Sequence, residues 1–271
     1  MALQLLTFAT LLAGATSLQN TPADVPVSAH ANAPASSDAE RIDAILSNLQ
    51  HRSEGLKDIR CRVEFVDDDR INLAESKKWG HILFWMTEPS PHFMIHFDRT
   101  VMDGVLGQQE WYLFDGRWLY EAVERRQQVT KQDLAPPGTR IDLFDLETAP
   151  FPLPFGQKKD TILKNFDVTL AKPAGDDPPN TDHLICVPKA ESRLYRKYDR
   201  LELFILRDVH LPSRIVVTKN NGDEISTANF PDLSQKSINT GVSKRDFAKP
   251  RAWKNYRLVV DDVVPTGSGS P

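Results

Sequence analysis

Three histidines on two neighbouring segments come nearest, by type and spacing, to a metal site. His92 and His96 alternate with Met94 and Asp98, so a β-strand would place all four side chains on one face. His81 lies on the preceding segment, and the register worked out below turns it to the opposite face. Because this spacing is not diagnostic of a metal site, we expect ordinary sheet histidines and no bound metal.

Other candidates for chemistry are equally weak. The run from Asp67 to Asp69 lacks the spaced oxygen ligands and terminal Glu of a calcium loop, so it indicates a turn at a strand end. The sequence has no Gly-x-Ser-x-Gly, His-Glu-x-x-His or phosphate-binding glycine loop. We therefore expect a protein that is not an enzyme and has no cofactor. An enzyme would need a polar cleft of convergent titratable groups.

The two cysteines, Cys61 and Cys186, do not form a Cys-x-x-Cys pair. Cys61 alternates with Ile59 and Val63 on an apolar strand face, where free thiols are commonly buried. Sequence cannot show whether the two sulfurs come within bonding distance. A single disulfide between them and two buried thiols both remain open, whereas a catalytic cysteine is disfavoured.

The amino terminus has the pattern of an export signal. Residues 1–15 form an apolar stretch that ends in Ala13-Gly14-Ala15, although no Lys or Arg precedes it. Residues 16–37 are rich in Ala, Pro and Ser, which predicts a flexible linker. We expect one domain over residues 38–262 and a disordered tail over 263–271.

Composition excludes some partner classes. The chain has 271 residues, of which 40% are hydrophobic and 26% charged, as in an ordinary globular protein. A net charge of -4 and a pI near 6.0 give no electrostatic basis for binding nucleic acid or an anionic membrane.

Hydrophobic periodicity predicts two helices and a long series of strands. Ser37 and Glu40 form a capping box before apolar residues at helical spacing, so a helix is expected over 38–54, ending at Gly55. A second helix is expected over 155–166. Strands are predicted from Ile59 and over 78–87, 92–98, 108–114, 117–123, 166–171, 183–188, 201–207, 213–219, 223–230 and 234–239.

The dipeptide Asp115-Gly116 between aromatic runs predicts a tight β-hairpin. If these two residues form the tip, Leu113 faces Trp118 and Trp111 faces Tyr120. Directly opposed residues share a sheet face, so these four aromatic and aliphatic side chains should lie together.

The preceding turn, from Thr87 to Pro91, would set Leu83 against Ile95 and Trp85 against Phe93. Added to the first hairpin, this register predicts one apolar lining made of eight residues, Trp85, Phe93, Ile95, Phe97, Trp111, Leu113, Trp118 and Tyr120. The alternative for the same side chains is a plain hydrophobic core between sheet and helix.

The order of these elements resembles a known superfamily. A capped helix is followed by a strand near Cys61, an aromatic strand ending at Glu88-Pro89, the run Phe93-Met-Ile-His-Phe97 and the Asp115-Gly116 hairpin. This order is similar to that of the periplasmic outer-membrane lipoprotein carrier (LolA-like) superfamily, and more closely to an uncharacterised exported planctomycete family of that type. The later runs Leu203–Asp208, Leu211–Ile215 and Asn221–Ile225 resemble its closing strands.

The resemblance implies a mainly β (α+β) fold, in which a strongly curved antiparallel sheet forms an incomplete β-barrel with helices lidding its concave face. It also implies a monomeric, periplasmic or otherwise exported bacterial protein that holds lipid or lipoprotein acyl chains and meets envelope donor or acceptor proteins. The carriers tend to have a basic residue where this chain has Glu88. A non-catalytic structural or protein-interaction domain of the cell envelope is the alternative.

Overall fold

The computed structural model describes residues 37–88, 90–134, 155–219 and 222–261. The predicted signal peptide, all of the linker but Ser37, and the tail lie outside these ranges. Helix α1 spans Asp38–Glu54 and has the expected capping box, in which the Ser37 side chain accepts from the Glu40 amide and the Glu40 carboxylate accepts from the Ser37 amide. Gly55 follows its last turn. The local sequence signals at both ends of this helix are therefore confirmed.

Helix α2 is shorter than expected and spans Lys159–Asn165. Thirteen strands accompany the two helices in the described part of the chain: β1 Asp58–Asp69, β2 Ala74–Trp85, β3 His92–Met102, β4 Val105–Leu106, β5 Glu110–Phe114, β6 Trp118–Val123, β7 Gln128–Asp133, β8 Phe166–Leu170, β9 Thr181–Pro188, β10 Arg200–Leu206, β11 Pro212–Lys219, β12 Glu224–Asn229 and β13 Arg257–Asp261.

These strands form one large curved sheet in the order β13-β7-β6-β5-β3-β2-β1-β12-β11-β10-β9-β8, with β4 paired to β3. Within the described residues, the two end strands β13 and β8 do not pair with each other, so the sheet is unclosed. The predicted mainly β fold with an incomplete barrel is confirmed. All pairs are antiparallel except β13 with β7, which is parallel.

Most sequence-predicted strands are present, with differences near the carboxyl terminus. The segment 234–239 is not a strand: it contains a 3₁₀ turn at Gln235–Ser237 and a single bridge from Ile238 to Ile59. Strands β4, β7 and β13 were not predicted. Two further 3₁₀ turns, at Lys244–Phe247 and Arg251–Asn255, precede β13.

Apolar side chains cover both faces of the sheet. On one face, which we call the helix face, Ile59, Ile82 and Phe84 pack with Leu46 and Leu49 of α1. On the other, which we call the C-terminal face, a second cluster joins strand residues to Val242, Phe247 and Trp253 from the C-terminal segment, residues 240–256. The sheet is therefore apolar on both faces, as the sequence predicted, and each face is covered by a different part of the chain: the helices on one and the C-terminal segment on the other.

Neither helix in the described part of the chain is long and apolar enough to cross a bilayer.

Candidate functional site

The eight residues predicted to line one cavity lie on opposite faces of the sheet. Strands β2 and β3 pair with Phe84 opposite Phe93 and Trp85 opposite His92, one residue away from the predicted register. A slip of one residue moves every side chain to the other face. Phe93, Ile95 and Phe97 therefore lie on the helix face, and the single eight-residue lining is wrong.

The other five residues, Trp85, Trp111, Leu113, Trp118 and Tyr120, belong to the cluster on the C-terminal face. The four from the Asp115-Gly116 hairpin do share a face, although their register is shifted by two residues, with Leu113 opposite Tyr120. A shift of two residues preserves the faces because the side-chain period of a strand is two.

The cause of this shift is the Asp115 side chain. Its Oδ1 accepts from the amides of Arg117 (3.2 Å) and Trp118 (2.9 Å), while its own amide donates to the Trp118 carbonyl (3.1 Å). The tip therefore consists of Gly116, with φ of 94°, and Arg117. Asp is the residue that commonly caps a turn in this way, so the Asp-Gly signal marks a hairpin correctly but misplaces its tip by one residue.

The C-terminal face is filled by aromatic packing. The Trp253 ring lies edge-on to Trp111, with centroids 6.2 Å apart, and 6.3 Å from Tyr120. Phe247 stacks on Trp85 at 6.3 Å. These are ordinary distances for aromatic pairs in a core. Trp111 thus touches its cover directly, through Trp253, as part of a second core.

Polar contacts attach the C-terminal segment to the edge of this core. The buried Asp58 carboxylate accepts from the Thr240 amide (2.6 Å), the Thr240 hydroxyl (2.8 Å) and the Gly241 amide (3.1 Å). Arg60 pairs with Asp246 at 2.6 Å. Periodicity does not predict this segment, because its apolar residues follow neither a helical nor a strand period.

Part of the apolar surface of the helix face is also only half covered, as Met94 and Trp118 are on the C-terminal face. Phe84, Phe93 and Phe114 are fully buried, whereas Phe65 and Ile95 on the same face are half-buried. Of the strands, β8 has the main contacts with α1, and α1 also packs on α2. The helices thus leave large apolar side chains of the central strands partly accessible.

A polar group lies beside these half-buried side chains. The Lys78 ammonium pairs with Glu110 at 2.8 Å and lies 5.7 Å from the Phe97 ring, and the Tyr112 hydroxyl donates to Glu110 at 3.4 Å. Burial, followed by the charge of Glu110, raises the pKa of Tyr112, so its hydroxyl stays protonated. Burial also raises the pKa of Glu121. The arrangement combines an apolar floor with hydrogen-bonding groups, as a pocket for an amphiphile would.

Hydrogen bonds and an ion pair join α1 to the chain around α2. Ser53 Oγ accepts from the Gly156 amide at 3.2 Å, and Gln50 Oε1 accepts from the Lys159 amide at 3.0 Å. The Lys159 ammonium donates to Ser47 Oγ at 3.1 Å and pairs with the Asp43 carboxylate at 2.5 Å. Apart from Asp43, these groups are half-buried, so polar contacts and apolar packing both hold the helix pair together.

Both cysteines are free thiols buried on the helix face. The disulfide that the sequence left open is not formed. Burial raises the pKa of both thiols, that of Cys186 to about 12, which disfavours the reactive thiolate.

The histidines do not form a metal site. His81 lies opposite His96 on the same face, contrary to the sequence prediction. Its Nδ1 is 3.6 Å from Asp98, whereas the His96 ring stacks on Trp111 at 4.9 Å and its Nε2 is 2.9 Å from Gln109. Across the ranges that the structure describes, no three His, Cys, Asp or Glu side chains converge to hold a metal ion.

Comparisons with known proteins give only distant likenesses. No protein-family model matches the chain, and no curated protein matches it. Among solved structures, an uncharacterised conserved protein from Thermus thermophilus is 12% identical, with a TM-score of 0.42 over 83% of this chain and 100% of its own.

Two other solved structures have more specific names. A putative outer membrane lipoprotein-sorting protein domain from Vibrio parahaemolyticus is 13% identical (TM-score 0.35, 79% of this chain and 99% of its own). NE2245 of Nitrosomonas europaea, named as a LolA superfamily protein, is 12% identical (TM-score 0.35, 77% of this chain and 97% of its own). At these identities and scores, the function has to be argued from this chain's own residues.

Proposed function

We propose that this protein is an exported, non-catalytic lipid- or lipoprotein-binding protein that holds acyl chains against the helix face of its sheet. The observation that carries the proposal is the half-buried apolar surface on that face, represented by Phe65 and Ile95. A fully packed core would bury such side chains completely, as it buries Phe84 and Phe93 nearby.

Acyl-chain binding needs only apolar surface that can be removed from water. Each buried methylene contributes about 0.8 kcal/mol, so a chain of about ten buried methylenes gives substantial affinity without a charged partner. The ion pair between Lys78 and Glu110 and the Tyr112 hydroxyl lie beside the apolar surface and would meet the polar end of the ligand. No step in this function requires a catalytic group.

The helix face, rather than the C-terminal face, is the proposed site. On the C-terminal face, Trp111 and Tyr120 already contact Trp253. The segment that covers them is held by the hydrogen bonds of Asp58. The cover formed by α1 and α2, by comparison, leaves Phe65 and Ile95 half-buried. Polar contacts such as that of Arg52 with Gln235 also join this cover to the rest of the chain.

The test is lipid extraction and mass spectrometry of the purified protein, followed by displacement of a fluorescent fatty acid by palmitate. Ile95→Gln should weaken binding at least about tenfold, because it places an amide on the apolar floor of the site. Met94→Gln is the matched control, since the adjacent Met94 is also half-buried but lies on the C-terminal face.

Met94→Gln should bind like the wild type. If purified protein contains no lipid and the fatty acid does not bind, the proposal fails. It also fails if the two variants lose affinity equally, because the site would then not be on the helix face.

A further inference from the structure

Five large apolar side chains are exposed at the tips of two hairpins. Leu73 is 88% exposed, Val105 and Leu106 are each 70% exposed, and Ile71 and Met102 follow at 68% and 59%. We call these five residues the tip patch. Exposed apolar residues are normal when scattered, but a contiguous group marks an interaction surface.

The two hairpins that carry the tip patch lie side by side. Ser76 of β2 is opposite Met102 of β3. The Asp103 amide donates to the Glu75 carbonyl (2.9 Å), and the Asp103 carboxylate accepts from the Glu75 amide (3.0 Å). These two hydrogen bonds hold the β3–β4 turn against the start of β2, so the backbone that carries the exposed apolar side chains is fixed in place.

The backbone of the exposed β1–β2 turn is already hydrogen-bonded within the chain. The Asp69 carboxylate accepts from the amides of Ile71 (3.1 Å) and Asn72 (3.0 Å), and the Arg70 amide donates to the Asp223 carbonyl (2.8 Å). Covering polar groups that lack partners is costly. Because these amides have partners, a bound molecule can cover the turn without that cost.

Charge around the tip patch selects the kind of molecule. Residues 67–77, 101–106, 219 and 222–224, which lie at this end of the sheet, contain seven acidic and three basic side chains, a formal charge of -4. The whole chain carries -4, so the negative charge is concentrated here. Two of the three bases are themselves paired, Arg70 with Asp68 at 3.4 Å and Lys77 with Glu75 at 2.8 Å. An anionic membrane would be repelled, whereas a cationic surface would be attracted.

We propose that the tip patch is the docking site for a cationic amphipathic segment of a partner protein. Its apolar stripe covers Ile71 and Leu73 of the first turn together with Met102 and Val105, which are directly opposed and share a face, whereas Leu106 lies on the other face of β4. Its Lys or Arg residues face the acidic rim formed by Asp68, Glu75, Asp103 and Asp223. This inference does not depend on the proposed ligand site, because the tip patch is formed by the turns at one end of the sheet.

The experiment measures binding of the full chain to a fluorescent amphipathic peptide of about 14 residues, four helical turns, made only of Leu and Lys. We expect saturable binding that weakens as salt rises from about 0.05 to about 0.5 M, because the charge attraction is screened. Leu73→Ser combined with Val105→Ser should weaken binding at least about tenfold, and Glu75→Gln combined with Asp223→Asn should do so without removing apolar surface.

Tyr195→Ser and Leu258→Ser are the matched controls, since these side chains are 58% and 59% exposed but lie outside the tip patch. Both should bind the peptide like the wild type, and thermal unfolding should show that every variant is folded. A peptide of the same pattern made of Leu and Glu should not bind.

The inference is overturned if the Leu73/Val105 variant binds like the wild type, or if the Leu and Glu peptide binds as well as the cationic one. Phosphatidylcholine vesicles that bind through Leu73 while the cationic peptide does not would assign the tip patch to a bilayer instead. A dimer of this chain that the same double variant abolishes, again without peptide binding, would assign it to a second copy.

Discussion

Trp253 should be one of the largest single contributors to stability outside the helix face. Its side chain is 8% exposed and contacts both Trp111 and Tyr120, and its Nε1 has no hydrogen-bond partner among the described residues. Trp253→Ala therefore removes apolar burial and leaves a cavity without breaking a hydrogen bond. Substitutions of this kind cost about 3–5 kcal/mol.

The assay is equilibrium unfolding in urea, followed by far-UV circular dichroism and by the fluorescence of the four remaining tryptophans. Leu258→Ala in the neighbouring strand β13 is the control, because Leu258 is 59% exposed and should change the free energy of unfolding by less than about 0.5 kcal/mol. Trp253→Phe should lose less than Trp253→Ala, because it keeps an aromatic ring against Trp111 and removes an unpaired buried N–H.

The reasoning is refuted if Trp253→Ala and Leu258→Ala have the same free energy of unfolding. That result would mean that the C-terminal segment lies on the sheet without contributing to its stability. The C-terminal face would then be a surface that the segment covers only loosely, and Trp111 would be a candidate ligand contact after all.

Three further predictions concern the backbone, the thiols and pH. Gly80→Ala should strongly destabilise the protein in the same urea unfolding assay, because the added Cβ would overlap the backbone of strand β3. Gly175→Ala should be nearly neutral, since nothing among the described residues lies within 4 Å of the added Cβ. Cys61 and Cys186 should not react with a thiol reagent at pH 8 until the protein is unfolded, and rapid labelling of the folded protein would contradict their burial. Because the pKa of Glu121 is raised in the folded protein, the ionised carboxylate destabilises the fold at pH values above the pKa of Glu in the unfolded chain. Glu121→Gln should therefore raise the free energy of unfolding more at pH 7 than at about pH 4. An equal effect at the two pH values would contradict this prediction.

Local patterns in the sequence were sufficient where neighbouring residues determine the structure. The side chains of Ser37 and Glu40 each accept a hydrogen bond from the other residue's backbone amide, so four consecutive residues are enough to predict the start of α1. The Asp115-Gly116 hairpin was also predictable, since Trp111 and Tyr120 still share a face after the register shifts by two residues. The unclosed mainly β sheet also followed from strand periodicity and the superfamily resemblance.

The candidate site depended on contacts that no local pattern contains. The local sequence of the turn from Thr87 to Pro91 does not fix the register of β2 and β3. The predicted pairing of Trp85 with Phe93 puts these two side chains on one face, whereas the observed pairing of Trp85 with His92 puts them on opposite faces. The buried Phe84 opposite Phe93 is consistent with selection of the observed register by packing under the helices. A choice made by packing is decided only when distant elements meet.

The C-terminal segment shows most clearly the difference between what the sequence predicts and what only the tertiary structure decides. The sequence by itself determined that both faces of the sheet are apolar and therefore need covers. Only the tertiary structure decided which cover belongs to which face, because Trp253 reaches Trp111 across more than a hundred residues of chain and β13 pairs with β7 in parallel. Such contacts between distant residues gain their energy from apolar burial after the chain has closed on itself, and this energy has no local signature in the sequence.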